Sequence, residues 1–189
     1  DGQVSAEAGE KKVYGGGLSI RATVDPDLQD LARRTLQRRL TEYATGEGFD
    51  GWDGQGYDGP IAKIEDLNAE DEAVWREQLA KTDVPRDVAP WKPAVVLSVG
   101  RNTAVVGVEG VVSEEPITIA LSDVKDWARK TTGKDSSGVL GLGPKPDSAL
   151  EVWVEGDVIY VEPLKTEAGD LDRWVMRHIP EVNGALVAM

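Results

Sequence analysis

The 189-residue chain contains no cysteine and a single histidine. Without cysteine there is no disulfide, no thiolate nucleophile and no thiolate metal ligand. With one histidine, a multi-histidine metal site is excluded. The lack of cysteine suits cytoplasm and periplasm alike. No apolar run approaches the roughly 20 residues that a helix needs to cross a bilayer, and no signal peptide is legible. A basic half is also missing. Residues 1–90 hold 11 Lys and Arg against 19 Asp and Glu, and residues 91–189 hold 10 against 15, within a net charge of −13. Binding to phosphate backbones by counterion release needs Lys/Arg clusters that are not there. An acidic surface also disfavours anionic membranes. What remains, 40% hydrophobic and 29% charged, is the composition of a globular chain with room for one domain and a small appendage.

The stretch Val152–Pro163 organises the rest. Val158, Tyr160 and Glu162 share one face, Ile159 and Val161 the other, and Val152 and Val154 share a face before Gly156-Asp157. A period of two is the signature of a strand, and Gly-Asp between apolar runs marks a turn or bulge. Gly156 adopts positive φ without steric cost and so can bend the chain into a new strand. From Trp91 onward the same period recurs. Strands are expected over 94–99, 104–108, 117–121, 158–163 and 173–179, with a turn at Arg101-Asn102, a break at Gly110 and a stop at Pro180. A helical turn carrying Trp127 and a Gly/Ser/Pro/Lys loop over 130–146 interrupt the series. Five short strands with one such insertion predict a mainly β, α+β fold, a small five-stranded OB-like barrel.

Upstream the period is helical. Asp25 is a good N-cap and Pro26 a good first helical residue. Leu28, Leu31, Ala32, Thr35, Leu36, Leu40 and Tyr43 then recur at helical spacing. Asp25, Asp27 and Asp30 near the start and Arg33, Arg34, Arg38 and Arg39 further on match the helix dipole. The Arg run reads as a solvated face rather than an anion site. A second helix is expected over 68–81, capped by Asn68, with Val74, Trp75 and Leu79 as its stripe. Residues 1–12 read as a disordered leader, residues 13–24 as a Gly-rich joint and a strand, and 84–90 as a linker. The chain starts without Met and stops inside the apolar run Gly184–Met189, so an excised piece of a longer polypeptide is expected.

Several short patterns advertise chemistry and fail on context. Asp50, Asp53 and Asp58 offer oxygens to calcium, but an EF-hand loop counted from Asp50 would need ligands where Trp52 and Gly54 stand. Phe49, Trp52 and Tyr57, interleaved with those acids in the loop 46–59, are candidate contacts for a glycan or a partner. Lys134 and Lys145 in the second loop are candidates of the same kind. Ser122-x-x-Lys125 spells the nucleophile motif of penicillin-interacting serine enzymes, and Lys130-Thr-Thr-Gly133 nearly spells a second element. The third, Ser-x-Asn, is absent, and both motifs fall on one small insertion. His178 has no Ser/Asp partner nearby in sequence. Glu114/Glu115 and Glu151/Glu155 lack specificity as a glycosidase pair in so acidic a chain. No catalytic residue, cofactor or metal ligand is assigned.

A set of stretches in fixed order carries a resemblance. They are Tyr14–Gln29, Gly56-Tyr-Asp-Gly-Pro60, Pro93–Leu97, Asp126–Arg129, Gly156–Ile159 and Ile179-Pro-Glu-Val-Asn-Gly-Ala-Leu-Val-Ala-Met189. Together they resemble the class A, bifunctional penicillin-binding proteins of Gram-negative bacteria, with Asp58 where that family usually has Arg and a longer Gly/Asp loop. The resemblance implies an OB-like domain set between a glycosyltransferase and a transpeptidase. Residues 13–90 would then be interdomain linker, 91–180 the OB-like barrel and 181–189 the start of the transpeptidase. The glycosyltransferase glutamates would lie upstream of the chain and the transpeptidase serine downstream of Met189. It further implies a periplasmic location and a membrane-anchored parent chain. The two long loops, 130–146 and 46–59, carry no catalytic constellation, and from them a non-catalytic docking role toward a periplasmic regulatory protein and the adjacent synthase domains is expected. Peptidoglycan glycan binding is the alternative. Nucleic-acid binding by a free-standing OB domain and catalysis by Ser122/Lys125 are the further rivals.

Overall fold

In a computed structural model of the protein, the described residues are 25–134, 136 and 140–179. The expected leader, the strand over 13–24 and the run from Pro180 to Met189 lie outside them. The chain divides into two compact units, Leu36–Leu186 and Asp1–Thr35 with Val187–Met189.

Helix α1 (Pro26–Thr45) starts as its sequence dictates. The Asp25 carboxylate accepts the Asp27 and Leu28 N–H groups at 3.0 and 3.4 Å, satisfying donors that the first turn leaves without carbonyl partners. In the smaller unit, Asp30 pairs with Arg33 at 2.7 Å and with Arg34, while Leu28 and Leu31 remain 49% and 56% exposed. In the larger unit, Arg38 and Arg39 pair with Glu42 at 3.8 and 2.7 Å. In each unit the arginines are solvated and paired with an acid three or four residues away.

The larger unit is built on β7 (Asp157–Lys165), the strand inside the organising stretch. One edge of β7 pairs antiparallel with β2 (Lys92–Val99), Val158–Val161 lying opposite Val95–Lys92. Its other edge is shared by β1 (Ala62–Lys63) at the start and β8 (Leu171–Arg177) further along. From β2 the sheet continues through β3 (Thr103–Val108) to β4 (Ile117–Ala120). Residues of β4 and β8 approach within 8 Å at Cα. The path β8-β7-β2-β3-β4 therefore curls until its ends meet, without a hydrogen-bonded ladder between them among the described residues. This is the expected mainly β, OB-like architecture.

The period of two sorts side chains onto two faces. Ala94, Val96, Ala104, Val106, Val108, Ile119, Ile159 and Val161 point inward, where Trp127, Trp153, Trp174 and Met176 complete the main core. Trp153 is fully buried, and its indole N–H points at the Met176 sulfur 2.8 Å away, which gives the buried donor a soft partner. Val95 and Val158 point outward, under helix α2 (Glu72–Lys81), whose Trp75 and Leu79 cover them together with Val84. A helix expected in the linker stretch is thus the outer layer of the sheet.

That packing depends on a glycine. Gly107 lies opposite Val95 in the β2–β3 register, and the Trp75 ring lies on its backbone. A Cβ at Gly107 would sit 2.6–2.8 Å from three ring carbons. At the far end of α2, Arg86 donates to the carbonyls of Leu79, Ala80, Thr82 and Val84, all at 3.1 Å, and pairs with Glu109 at 3.0 Å. A planar guanidinium with five donors suits such a cluster of helix-end carbonyls.

Four local expectations are corrected. Helix α2 is capped by Asp71, which accepts from the Ala73 and Val74 N–H groups. Asn68 instead accepts from the Asp71 N–H at 3.3 Å, one turn earlier. Val152 and Val154 are not strand residues. A 3-10 turn over Ala149–Glu151 precedes them, and Val154 is 53% exposed. The expected loop 130–146 contains a two-stranded hairpin, β5 (Thr131–Lys134) with β6 (Leu140–Leu142). The helical turn after β4 is a short 3-10 segment, Leu121–Asp123, continued by tight turns that bury Val124, Trp127 and Ala128. Gly156 does turn the chain, at φ +89°. Its N–H donates to Val96 and its carbonyl accepts from Ile64, and a Cβ there would collide with the Ile64 carbonyl.

Candidate functional site

The sequence singled out two regions, the loop 46–59 and the segment 130–146. The first region separates its aromatic residues. Trp52 stacks on Tyr43 of α1 with ring centroids 5.2 Å apart and donates its indole N–H to the Tyr43 carbonyl at 2.6 Å. Phe49 packs edge-on against the same Tyr43 ring at 5.9 Å and is 40% exposed. Tyr57 is elsewhere, in the main core, edge-on to both Trp127 and His178. The Phe49–Tyr43–Trp52 cluster therefore presents an exposed aromatic patch, and Tyr57 is not part of it.

Burial shapes the chemistry of Tyr57. Its hydroxyl is buried without a hydrogen-bond partner among the described residues. Desolvation, with the Asp157 carboxylate as a second cause, pushes the phenol far above its ordinary range, because the anion would be both buried and near another negative charge. His178 stacks on Trp127 at 5.6 Å and is part of this aromatic group.

The second region is held rigidly at its root. The Asp58 carboxylate accepts from the Thr131 N–H at 3.1 Å and from the Thr131 hydroxyl at 2.7 Å. The Tyr57 N–H donates to the Arg129 carbonyl at 2.7 Å. Arg129 itself donates to the Gly143 carbonyl at 2.6 Å. Lys145 pairs with Asp126 at 2.6 Å, and that bond holds the Asp126 carboxyl below its usual range. Lys134 is the last residue of β5. The segment Gly56-Tyr-Asp58 and the turn around Arg129 thus anchor the root of the hairpin. The signal for the hairpin was present as β-branched Thr131-Thr132 and alternating Leu140-Gly-Leu142 around a Ser-Gly stretch.

The motifs set aside from sequence do not assemble. Ser122 and Lys125 are both exposed on the turn after β4, and no hydrogen bond joins them. Asp53 lies 3.8 Å from Arg129 and Asp58 is bound to Thr131. No group of three or more His, Asp or Glu able to hold a metal ion occurs among the described residues. Among those residues, too, no helix is long and apolar enough to cross a membrane.

The family model of the penicillin-binding protein OB-like domain matches residues 57–182. The match begins at Tyr57, within the segment that roots the hairpin, and takes in α2 and every strand among the described residues. The chain belongs to the penicillin-binding protein OB-like domain family. Two curated relatives are both called penicillin-binding protein 1A. The one from Rickettsia prowazekii is 32% identical over 181 residues, covering 95% of this chain and 18% of that protein. The one from Vibrio cholerae is 30% identical over 186 residues, covering 96% and 20%. The crystal structure of penicillin-binding protein 1A from Haemophilus influenzae aligns with 95% of this chain and 21% of its own length, at a TM-score of 0.52 and 18% identity, which supports the fold. The chain spans about one-fifth of the length of the relatives it matches. Within this OB-like domain, the family resemblance at Gly56–Pro60 now has a structural counterpart. In that stretch, Asp58 holds Thr131.

Proposed function

We propose that this OB-like domain is the non-catalytic docking element of a membrane-anchored bifunctional peptidoglycan synthase working at the periplasmic face of the inner membrane. It would receive a periplasmic regulatory protein and contact the adjacent synthase domains. The family match over residues 57–182 and relatives called penicillin-binding protein 1A support the parent's identity. The observation that supports the docking role is the anchoring of the β5–β6 hairpin at its root, by Asp58 on Thr131 and Arg129 on Gly143. A segment anchored at its root has less conformational freedom to lose on binding, which favours its use as a contact. A partner that prefers one placement of the domain then shifts the populations of active and inactive synthase.

The exposed Phe49–Tyr43–Trp52 cluster favours a second reading, a peptidoglycan glycan-binding module, since aromatic faces stack on sugar rings. Pull-down of periplasmic proteins, run beside sedimentation with purified peptidoglycan sacculi, separates the two. A soluble protein retained by the domain, lost with Asp58→Ala and with no sacculus binding, supports docking. Sacculus binding that Trp52→Ala abolishes, with no protein retained, overturns it in favour of the glycan reading.

A further inference from the structure

The N-terminal half of α2 and the loop 109–116 enclose a groove of about 310 Å³ that the sequence reading did not single out. Its floor is apolar: Leu97, Val105, Ile117 and the edge of Trp75. Its rim is acidic, with Glu70 and Glu72 on one side and Glu114 and Glu115 on the other. The one basic residue in the lining, Arg76, is engaged. Its guanidinium lies 4.5 Å over the Trp75 ring, pairs with Glu72 at 2.8 Å and donates to the Val111 carbonyl at 2.6 Å. Arg76 thereby fixes the helix to the loop and sets the groove's width. Glu70, Glu114 and Glu115 are exposed and make no ion pair among the described residues.

An apolar floor beneath uncompensated carboxylates is complementary to one kind of side chain, a long aliphatic stem ending in a cation. A second copy of this chain is a poor occupant because two bodies of net charge −13 repel. Phosphate backbones and anionic lipids are repelled for the same reason. We infer that the groove between α2 and the loop 109–116 docks a Lys- or Arg-bearing segment of a partner protein, with stems on Leu97, Val105 and Ile117 and heads at Glu70, Glu114 and Glu115. The inference rests on the docking reading above and assigns it a surface and a partner chemistry.

The probe is a fluorescein-labelled peptide of alternating Lys and Val, compared with one of alternating Lys and Gly of equal charge, titrated into the 189-residue chain by fluorescence anisotropy. Two double variants remove the same charge: Glu114→Gln with Glu115→Gln at the groove, and Glu167→Gln with Asp170→Asn at the exposed β7–β8 turn. All four sites are exposed, and circular dichroism checks that both variants fold. The expected result is tighter binding of the Val peptide, weakened about fivefold by the groove variant and less than twofold by the control, with a shift of the Trp75 indole N–H resonance. Equal weakening by both variants, or no preference for Val over Gly, overturns the assignment, since general attraction to an acidic surface then explains the binding. A dimer abolished by the groove variant also overturns it, by making a second copy the occupant. If the peptide result fails while a periplasmic protein is still retained and lost with Asp58→Ala, the docking reading stands and the groove falls alone.

Discussion

Asp58 holds Thr131 by two hydrogen bonds, from the backbone N–H and the hydroxyl, across 73 positions of sequence. This contact ties the entry segment of the domain to the first residue of the β5–β6 hairpin. Both residues are partly or fully solvated, so the pair contributes modestly to global stability. Its consequence is local order. Asp58→Ala should lower unfolding free energy by about 1 kcal/mol or less and speed amide exchange at Thr131 and Thr132 markedly. Exchange unchanged at those amides would show that Arg129 holds the hairpin alone.

Trp75 leaves no room for a side chain at Gly107. Gly107→Ala therefore forces the ring, and α2 with it, off the outer face of the sheet. A loss of about 1–3 kcal/mol is expected from such overpacking. Urea denaturation measures it, and a red shift of tryptophan emission in the native baseline would report the displaced indole. Ser98→Ala, at an exposed position of the neighbouring strand, should show neither effect.

Tyr57 buries a hydroxyl with no partner among the described residues. Removing that hydroxyl relieves a desolvation cost and keeps the ring between Trp127 and His178. Tyr57→Phe is expected to leave stability unchanged or to raise it by about 1 kcal/mol, whereas Tyr57→Ala should cost about 3–5 kcal/mol. Thermal or urea unfolding of both variants decides this. A large loss in the Phe variant would reveal a partner for the hydroxyl.

Asp157 is the buried acidic residue at the start of β7. Burial raises its pKa, partly offset by the Val154 N–H bond at 2.8 Å and by Lys63. A carboxyl raised in the folded state keeps its proton longer there than in the unfolded chain. Its ionisation therefore costs stability as pH rises from about 3.8, its ordinary value, through the raised folded value, and the cost stays constant above that. Asp157→Asn keeps an oxygen to accept the Val154 N–H and removes this slope. Denaturation from pH 3 to 7 should show the variant gaining on the parent protein across that window. A variant that loses ground as pH rises would reverse the sign of the argument.

The sheet was legible because its central strands alternate, even though β2 carries an irregularity between Val96 and Ser98. Ile159 and Val161 went to the main core and Val158 to the face under α2, as alternation required. Asp25-Pro26 placed the start of α1 for the same local reason. What was missed depended on contacts distant in sequence. No local pattern reveals that Trp75 needs Gly107, or that Asp58 reaches Thr131. Asn68 and Asp71 are both good caps, and the choice between them is made where the chain turns onto the sheet. The hairpin escaped because its strands are short and rich in glycine, which carries little strand signal. Of the candidate contacts, Phe49 and Trp52 come together on Tyr43, Lys145 is paired with Asp126, and Tyr57 belongs to the core. The aromatic spacing in the loop did not distinguish a patch from a core anchor.

The docking account is tested most directly by competition. On the proposed reading the full-length parent protein polymerises glycan, and this activity is assayed in the presence of a periplasmic extract, with the 189-residue chain added in increasing excess. If the chain captures a regulatory protein, polymerisation should fall toward the level seen without extract, and the Asp58→Ala chain should compete less well. Polymerisation unaffected by excess chain, or lowered equally when the extract is left out, would contradict the account.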